Sequence, residues 1–205
     1  LARTQWTKYF LHPGDGSLLT EAPLKGTSLV YETGGEGVTF MSPPVKTDTE
    51  ITGPVAAKLW LSSDSTDADL FIALRVYDPQ GTEVVFIGSN DPRTPVGLGW
   101  LRASQRKLDP QESKPYRPWH THDEHQPLTP GVLAALVLAV VATLVAGVAV
   151  ELDIEIWPTS IVVPRGYRIA FTVRGRDYEF DGTDAGVAHA PYPMKGVGPF
   201  THTHP

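Results

Sequence analysis

Imidazole and carboxylate side chains cluster once in this chain of 205 residues, where His120, His122 and His125 accompany Asp123 and Glu124. Zinc and nickel bind such ligands, and imidazoles two and five residues apart could meet at one ion. The segment is flanked by proline and has no predicted strand or helix, whereas a preorganised metal site needs rigid support. The three histidines are therefore weak metal-site candidates, and no metal ion or other cofactor is predicted.

A second group of acidic side chains, Asp64, Asp67 and Asp69, could bind Ca²⁺ through carboxylate oxygens. Calcium takes about six to eight oxygen ligands, and the sequence offers three carboxylates at this place. The favoured interpretation is a polar loop that leads into a strand over Leu70–Tyr77. Its carboxylates would then accept hydrogen bonds from backbone N–H groups.

Serine-based hydrolysis needs an activated nucleophile, and the sequence offers none. The Gly-x-Ser-x-Gly elbow that exposes a nucleophilic serine does not occur. Ser42, Ser104 and Ser160 occur in Met-Ser-Pro, Ala-Ser-Gln and Thr-Ser-Ile contexts. Seven histidines are possible bases, but a triad needs nucleophile, base and orienting acid within mutual reach. No catalytic residue is therefore predicted in this chain.

The composition is that of a globular domain with an acidic balance. A net charge of -6 without a basic block argues against a nucleic-acid partner. The absence of cysteine excludes disulfides and thiolate catalysis and fits a reducing compartment, so the cytoplasm is the favoured location. The first residues show neither a methionine nor the features of a signal peptide. We expect residues 1–205 to form a single domain that is a fragment of a longer chain.

Short apolar runs rich in β-branched and aromatic residues predict an all-β fold. Nineteen glycines and nineteen prolines punctuate these runs with turns, which favours a β-sandwich. The predicted strands are Gln5–Leu11, Ser28–Tyr31, Val38–Met41, Val55–Leu61, Leu70–Tyr77, Glu83–Ile87, Val150–Trp157 and Arg168–Val173. By contrast, Asp91–Pro130 is polar and rich in proline, which predicts a long irregular loop lying over a neighbouring surface.

The segment Val132–Val150 contains no charged residue and is an apolar insertion in the predicted sandwich. As a helix it would be about 28 Å long, which is close to the hydrocarbon thickness of a bilayer. The nearest charges are acidic, however, and a span here would place strands of one sandwich on opposite sides of a membrane. The alternatives are a buried apolar helix, a longer strand pair, or an insertion without a role.

Several motifs resemble one family, the C-terminal, non-catalytic domain of serine hydrolases of the cocaine esterase and X-Pro dipeptidyl-peptidase type. The resemblance extends from about Trp6 to His204 and rests on Thr66–Arg75, Gly99–Pro110, Tyr116–His122, Pro127–Gly131 and Asp153–Ser160. It implies a jelly-roll sandwich similar to galactose-binding domains. It also implies an α/β-hydrolase catalytic domain in the same polypeptide, which would hold the nucleophile, acid and base.

Four residues are predicted to lie at the interface with that catalytic domain: Trp100, Arg102, Arg106 and Trp119. In a helical turn over Leu101–Leu108 the two arginines would face one side, where planar guanidinium groups suit bidentate pairing with carboxylates of a partner. The alternative for these arginines is a solvated loop.

The resemblance implies a domain that covers and stabilises the catalytic domain and walls part of its pocket. The whole protein would hydrolyse esters or peptides through an acyl-serine. The sequence leaves two other functions open: an independent ligand-binding module of the carbohydrate type, and a membrane-associated protein that uses residues 132–150. Against the ligand-binding module, most tryptophans and tyrosines fall in predicted strands, which makes them core residues and Trp119 the main exposed aromatic.

Overall fold

In the part of the chain that the structure describes, β-strands are the main secondary structure. The computed structural model describes residues 4–87, 93–130, 132–134, 143–145 and 147–178. These residues form eleven strands and one 3-10 turn (Ala103–Gln105), and no α-helix. The strands are β1 (Phe10–His12), β2 (Ser17–Leu19), β3 (Val38–Met41), β4 (Thr49–Leu61), β5 (Asp69–Tyr77), β6 (Glu83–Val84), β7 (Gly97–Arg102), β8 (Val132–Ala134), β9 (Thr143–Val145), β10 (Val150–Val163) and β11 (Arg168–Arg174).

Two layers enclose the core. One is a seven-stranded sheet in the order β1-β2-β3-β11-β5-β6, with β7 paired to β5. The other is a long antiparallel ribbon of β4 and β10, whose register shifts at a bulge between Ile156 and Thr159. The prediction of a β-sandwich is therefore confirmed.

The strand β10 shows why the sequence forms this sandwich. Leu152, Ile154 and Ile156 are at most 1% exposed, because alternate side chains of a strand point to the same face. The alternate positions, Glu151, Asp153, Glu155 and Trp157, carry charged or exposed side chains. The inward face of β10 packs on the apolar face of β5, whose Leu70 and Ile72 are each 1% exposed.

Two glycines let β7 cross close over β10. A Cβ atom on Gly97 would lie 3.2 Å from Ile156 Cγ2 and 3.3 Å from the carbonyl oxygen of Trp157. A Cβ on Gly99 would overlap the carbonyl oxygen of Glu155. Because both positions lack a side chain, the backbone of the seven-stranded sheet reaches the backbone of the ribbon at this seam.

The strand predictions hold for β3 and for most of β4, β5, β10 and β11. They are right in part for Gln5–Leu11, which overlaps β1, and for Glu83–Ile87, which contains β6. Ser28–Tyr31 is not a strand, although Leu29 and Tyr31 pack against the core as extended chain. The irregular loop predicted over Asp91–Pro130 is wrong for β7 and the 3-10 turn. Glycines at alternate positions resemble a turn signal, whereas here they allow the close crossing.

The ends of the apolar insertion pair with each other. β8 and β9 are antiparallel, with Val132 opposite Val145 and Ala134 opposite Thr143. The N–H of Val148 donates to the carbonyl of Thr129 at 3.3 Å, which brings the two ends of the insertion together. These contacts match the strand-pair alternative. Residues 131, 135–142 and 146 lie outside the described residues, and within the described ones no helix is long and apolar enough to cross a membrane.

Deleting residues 132–146, so that Gly131 joins Gly147, is expected to leave a folded domain with an equal or higher melting temperature. The pair β8–β9 hydrogen-bonds to neither layer of the sandwich, and each doubling of loop length costs only about 0.6 kcal/mol. Thermal unfolding followed by circular dichroism measures this. In a second variant, residues 132–146 are replaced by Gly and Ser, which keeps the length of the insertion but removes its apolar side chains. Loss of cooperative unfolding in both variants would show that the insertion is core.

Replacing Gly99 by alanine should destabilise the domain by about 1–3 kcal/mol, the usual cost of overpacking a core. The added methyl would meet the Glu155 carbonyl, and backbone cannot move aside as a flexible side chain can. Gly14→Ala is the matched control, because a Cβ at Gly14 has no atom within 4 Å. Urea denaturation compares the two. Equal stability of Gly99→Ala and the wild type would contradict the close crossing.

Candidate functional site

An open groove of about 610 Å³ lies beside the seam between β7 and β10. We name it the tryptophan groove, because three of the five tryptophans in the chain line it. Its complete lining is Asp69, Leu70, Phe71, Trp100, Leu101, Arg102, Gln105, Pro118, Trp119, His120, His122, Glu155 and Trp157. Strands β5, β7 and β10 and the loop after the 3-10 turn each contribute to it.

Aromatic rings make up much of the groove. Trp100 of β7 and Trp157 of β10 meet edge to face, with ring centroids 5.1 Å apart and planes at 72°. Trp157 is 62% exposed and Trp119 is 47% exposed, so both rings are largely open to solvent. The expectation that the tryptophans are core residues is therefore wrong. They occupy outward strand positions or loops, and none of the five is buried.

The groove includes one strong ion pair within the domain. Arg102 donates to both carboxylate oxygens of Asp69, through Nε at 2.8 Å and Nη2 at 3.0 Å. The pKa of Arg102 is raised above its ordinary value, and the main cause is its hydrogen bond to Asp69. The Asp69 side chain is 3% exposed. An unpaired buried carboxylate would be costly, so Arg102 is held by its own domain.

Arg106 also turns inward and does not line the groove. Its Nη1 donates to the carbonyl of Ala103 at 3.0 Å and to that of Gln126. It therefore ties the 3-10 turn to the far end of the following loop. The structure brings Trp100, Arg102 and Trp119 together at the groove and places Arg106 behind it. The helical turn expected over Leu101–Leu108 is present only as the 3-10 turn.

Asp67 organises the same turn from beneath. Its Oδ1 accepts the N–H groups of Ala68 and Ser104, both at 2.9 Å, and its Oδ2 accepts the Ser104 hydroxyl at 2.5 Å. The carboxylate thus binds backbone N–H groups, as the favoured interpretation of the acidic cluster predicts. Among the described residues no group of three or more histidines and carboxylates is placed to hold a metal ion.

Ser104, Asp67 and His125 lie together, yet their order does not suit catalysis. His125 Nε2 is 3.8 Å from the carboxylate oxygen that accepts the Ser104 hydroxyl. The carboxylate therefore lies between serine and histidine, whereas a triad places the histidine next to the serine as its base. Ser104 is also 0% exposed. This cluster is a structural brace.

His120 attaches the loop to the edge of β10. Its Nε2 is 2.9 Å from the carbonyl oxygen of Asp153, and a carbonyl only accepts, so Nε2 carries the proton. Its Nδ1 is buried without a hydrogen-bond partner. Burial lowers the pKa of His120, which favours the neutral ring. The ring centroid of His122 is 6.2 Å away, and His125 lies at Asp67 instead, so the three histidines do not converge.

The sequence did not point to two groove residues that the structure adds. Trp157 and Glu155 both lie on outward positions of β10, and the alternation of that strand was the available signal. Arg117 contacts both sides of the groove entrance. Its guanidinium carbon lies 5.5 Å from the Trp119 ring centroid, and its Nε is 3.6 Å from Glu155. Such a contact needs the folded loop and has no signature in sequence.

The comparison with protein families bears on what such a domain does. The family described as the X-Pro dipeptidyl-peptidase C-terminal non-catalytic domain matches residues 1–187. The chain belongs to this family. The resemblance given by the sequence motifs is thereby confirmed, and so is the assignment to a non-catalytic domain of CocE/NonD and X-Pro peptidase hydrolases.

This chain spans only part of the length of the proteins that it resembles. The Mycobacterium bovis protein named "Putative serine esterase Mb1866c" is 29% identical over 145 residues, which are 68% of this chain and 19% of that protein. A Mycobacterium tuberculosis protein with a similar name gives the same values. A crystal structure of a CocE/NonD family hydrolase from Staphylococcus aureus is 26% identical with a TM-score of 0.73, and the match covers 96% of this chain and 32% of that one.

Proposed function

We propose that this domain docks through the tryptophan groove onto an α/β-hydrolase catalytic domain of the same polypeptide, which it covers and stabilises. The catalytic domain would carry the nucleophile, base and acid of an ester or peptide hydrolase that works through an acyl-serine. This proposal extends the assignment to a non-catalytic C-terminal domain, since the chain spans about a fifth of the mycobacterial relatives and about a third of the staphylococcal one.

The observation that carries the proposal is the exposure of Trp119 and Trp157 around one groove. A folded domain gains nothing from leaving large rings in water, and tryptophan anchors are enriched in protein interfaces. Trp60, on the outer face of the ribbon, is similarly exposed at 65% but lines no part of this groove. The edge-to-face contact with Trp100 holds Trp157 in place, so its ring needs little ordering when a partner covers it.

The charges at the groove favour a mostly apolar partner surface. Asp69 and Arg102 already neutralise each other at close range. Glu155 faces Arg117 at 3.6 Å, and these side chains are 36% and 57% exposed. Covering a paired charge costs less than covering a lone one. The interface predicted from Arg102 and Arg106 as bidentate anchors is thus better described as an aromatic interface with a polar rim.

In the full-length protein that contains this domain, Trp157→Ala is expected to lower the apparent melting temperature. An interface anchor contributes about 2 kcal/mol or more, and about 1 kcal/mol corresponds to roughly 2–4 °C in domains of this size. Trp60→Ala is the matched control, because it removes an equally exposed tryptophan from the same ribbon. Differential scanning calorimetry and ester turnover before and after heating provide the measurements. A similar small shift for both variants would show that the groove is not the docking surface.

A further inference from the structure

The extended segment before β1 contacts the rest of the domain through an aromatic stack. Trp6 and Tyr116 lie with ring centroids 4.8 Å apart and planes at 17°. Both rings remain accessible, with Trp6 61% exposed and Tyr116 38% exposed. Residues 4–9 form no strand and are exposed throughout. The stack therefore belongs to the surface and not to the core.

Tyr116 lies at the tip of a tightly hydrogen-bonded loop, residues 109–119. Lys114 and Arg117 exchange two backbone hydrogen bonds of 3.0 and 2.9 Å around the tip. The N–H of Asp109 donates to the carbonyl of Trp119 at 2.8 Å and closes the loop. Inside it, the Ser113 hydroxyl accepts the N–H of Trp119 at 3.0 Å and donates to the carbonyl of Trp119 at 3.1 Å. These hydrogen bonds join the two ends and the tip of the loop.

The same loop forms a wall of the tryptophan groove. It ends at Pro118 and Trp119, which both line the groove. Arg117, next to Tyr116, lies over the Trp119 ring and faces Glu155 of β10. Trp6 thus rests on the outside of a hydrogen-bonded loop whose other end forms part of the proposed docking surface.

We propose that the Trp6–Tyr116 stack is a clamp that holds the upstream segment of the polypeptide against the groove wall. This inference rests on the proposed function, because the partner is the catalytic domain that would precede residue 1. A tethered partner binds in proportion to its effective concentration, which falls as the free tether lengthens. Because the stack fixes the chain at Trp6, the free tether is shorter and begins beside the groove. The catalytic domain is therefore held close to Trp119 and Trp157.

Oxidative footprinting of the full-length protein tests the clamp, because hydroxyl radicals modify exposed tryptophans. In the wild type, Trp157 should react several-fold more slowly than Trp60, although the two are 62% and 65% exposed in this domain. Trp6→Ala should raise the Trp157 rate about two- to tenfold, with the Trp60 rate as the upper limit, which matches the strength of one aromatic pair. The Trp60 rate should stay unchanged and serves as the internal control.

Two further variants separate the clamp from a general loss of structure. Trp6→Phe keeps a stacking ring and should restore most of the Trp157 protection, whereas Tyr116→Ala should act like Trp6→Ala. If Trp157 is unprotected in the wild type, the proposed docking itself is wrong. If Trp157 is protected in the wild type and equally protected in Trp6→Ala, docking stands and the clamp is overturned.

Discussion

The structure depends on the approach of two backbones at Gly97 and Gly99. A sandwich normally keeps its layers apart by the thickness of two sets of side chains. Here β7 has no side chain toward β10 at these two positions, so the layers touch at one edge. That contact brings Trp100 of one layer against Trp157 of the other, 5.1 Å between ring centroids. Without it the tryptophan groove would lack two of its rings.

A second constraint keeps the loop in place beside this seam. Asp67 binds the 3-10 turn from beneath, Arg106 ties the turn to Gln126, and His120 binds the edge of β10. These charged groups are therefore paired within the domain, because a buried charge needs a partner close at hand. The rings are left facing outward. This arrangement favours the docking role that we propose for the groove.

The sequence predicts those parts of the fold that follow from local pattern. The alternation in β10 is of this kind. So is the turn Asp78–Gly81, because Pro79 and Gly81 are typical turn residues; in that turn the N–H of Gly81 donates to the carbonyl of Asp78 and the φ of Gly81 is 86°. β7 was not predicted, because its glycines are explained by close contact with β10, a strand more than fifty residues away in the sequence. The partners of Arg102 and Arg106 within the domain likewise depend on the pairing of β5 with β7 and on the folded loop, so motif spacing alone could not reveal them.

Photo-crosslinking in the full-length protein tests whether the tryptophan groove faces the catalytic domain. A benzophenone amino acid replaces Trp157 in one variant and Trp60 in another, which compares two positions of nearly equal exposure on the same ribbon. After irradiation, mass spectrometry identifies the joined peptides. We expect crosslinks from position 157 to peptides upstream of residue 1, and few or none from position 60. Crosslinks to upstream peptides from position 60 alone, or equally from both positions, would contradict this expectation.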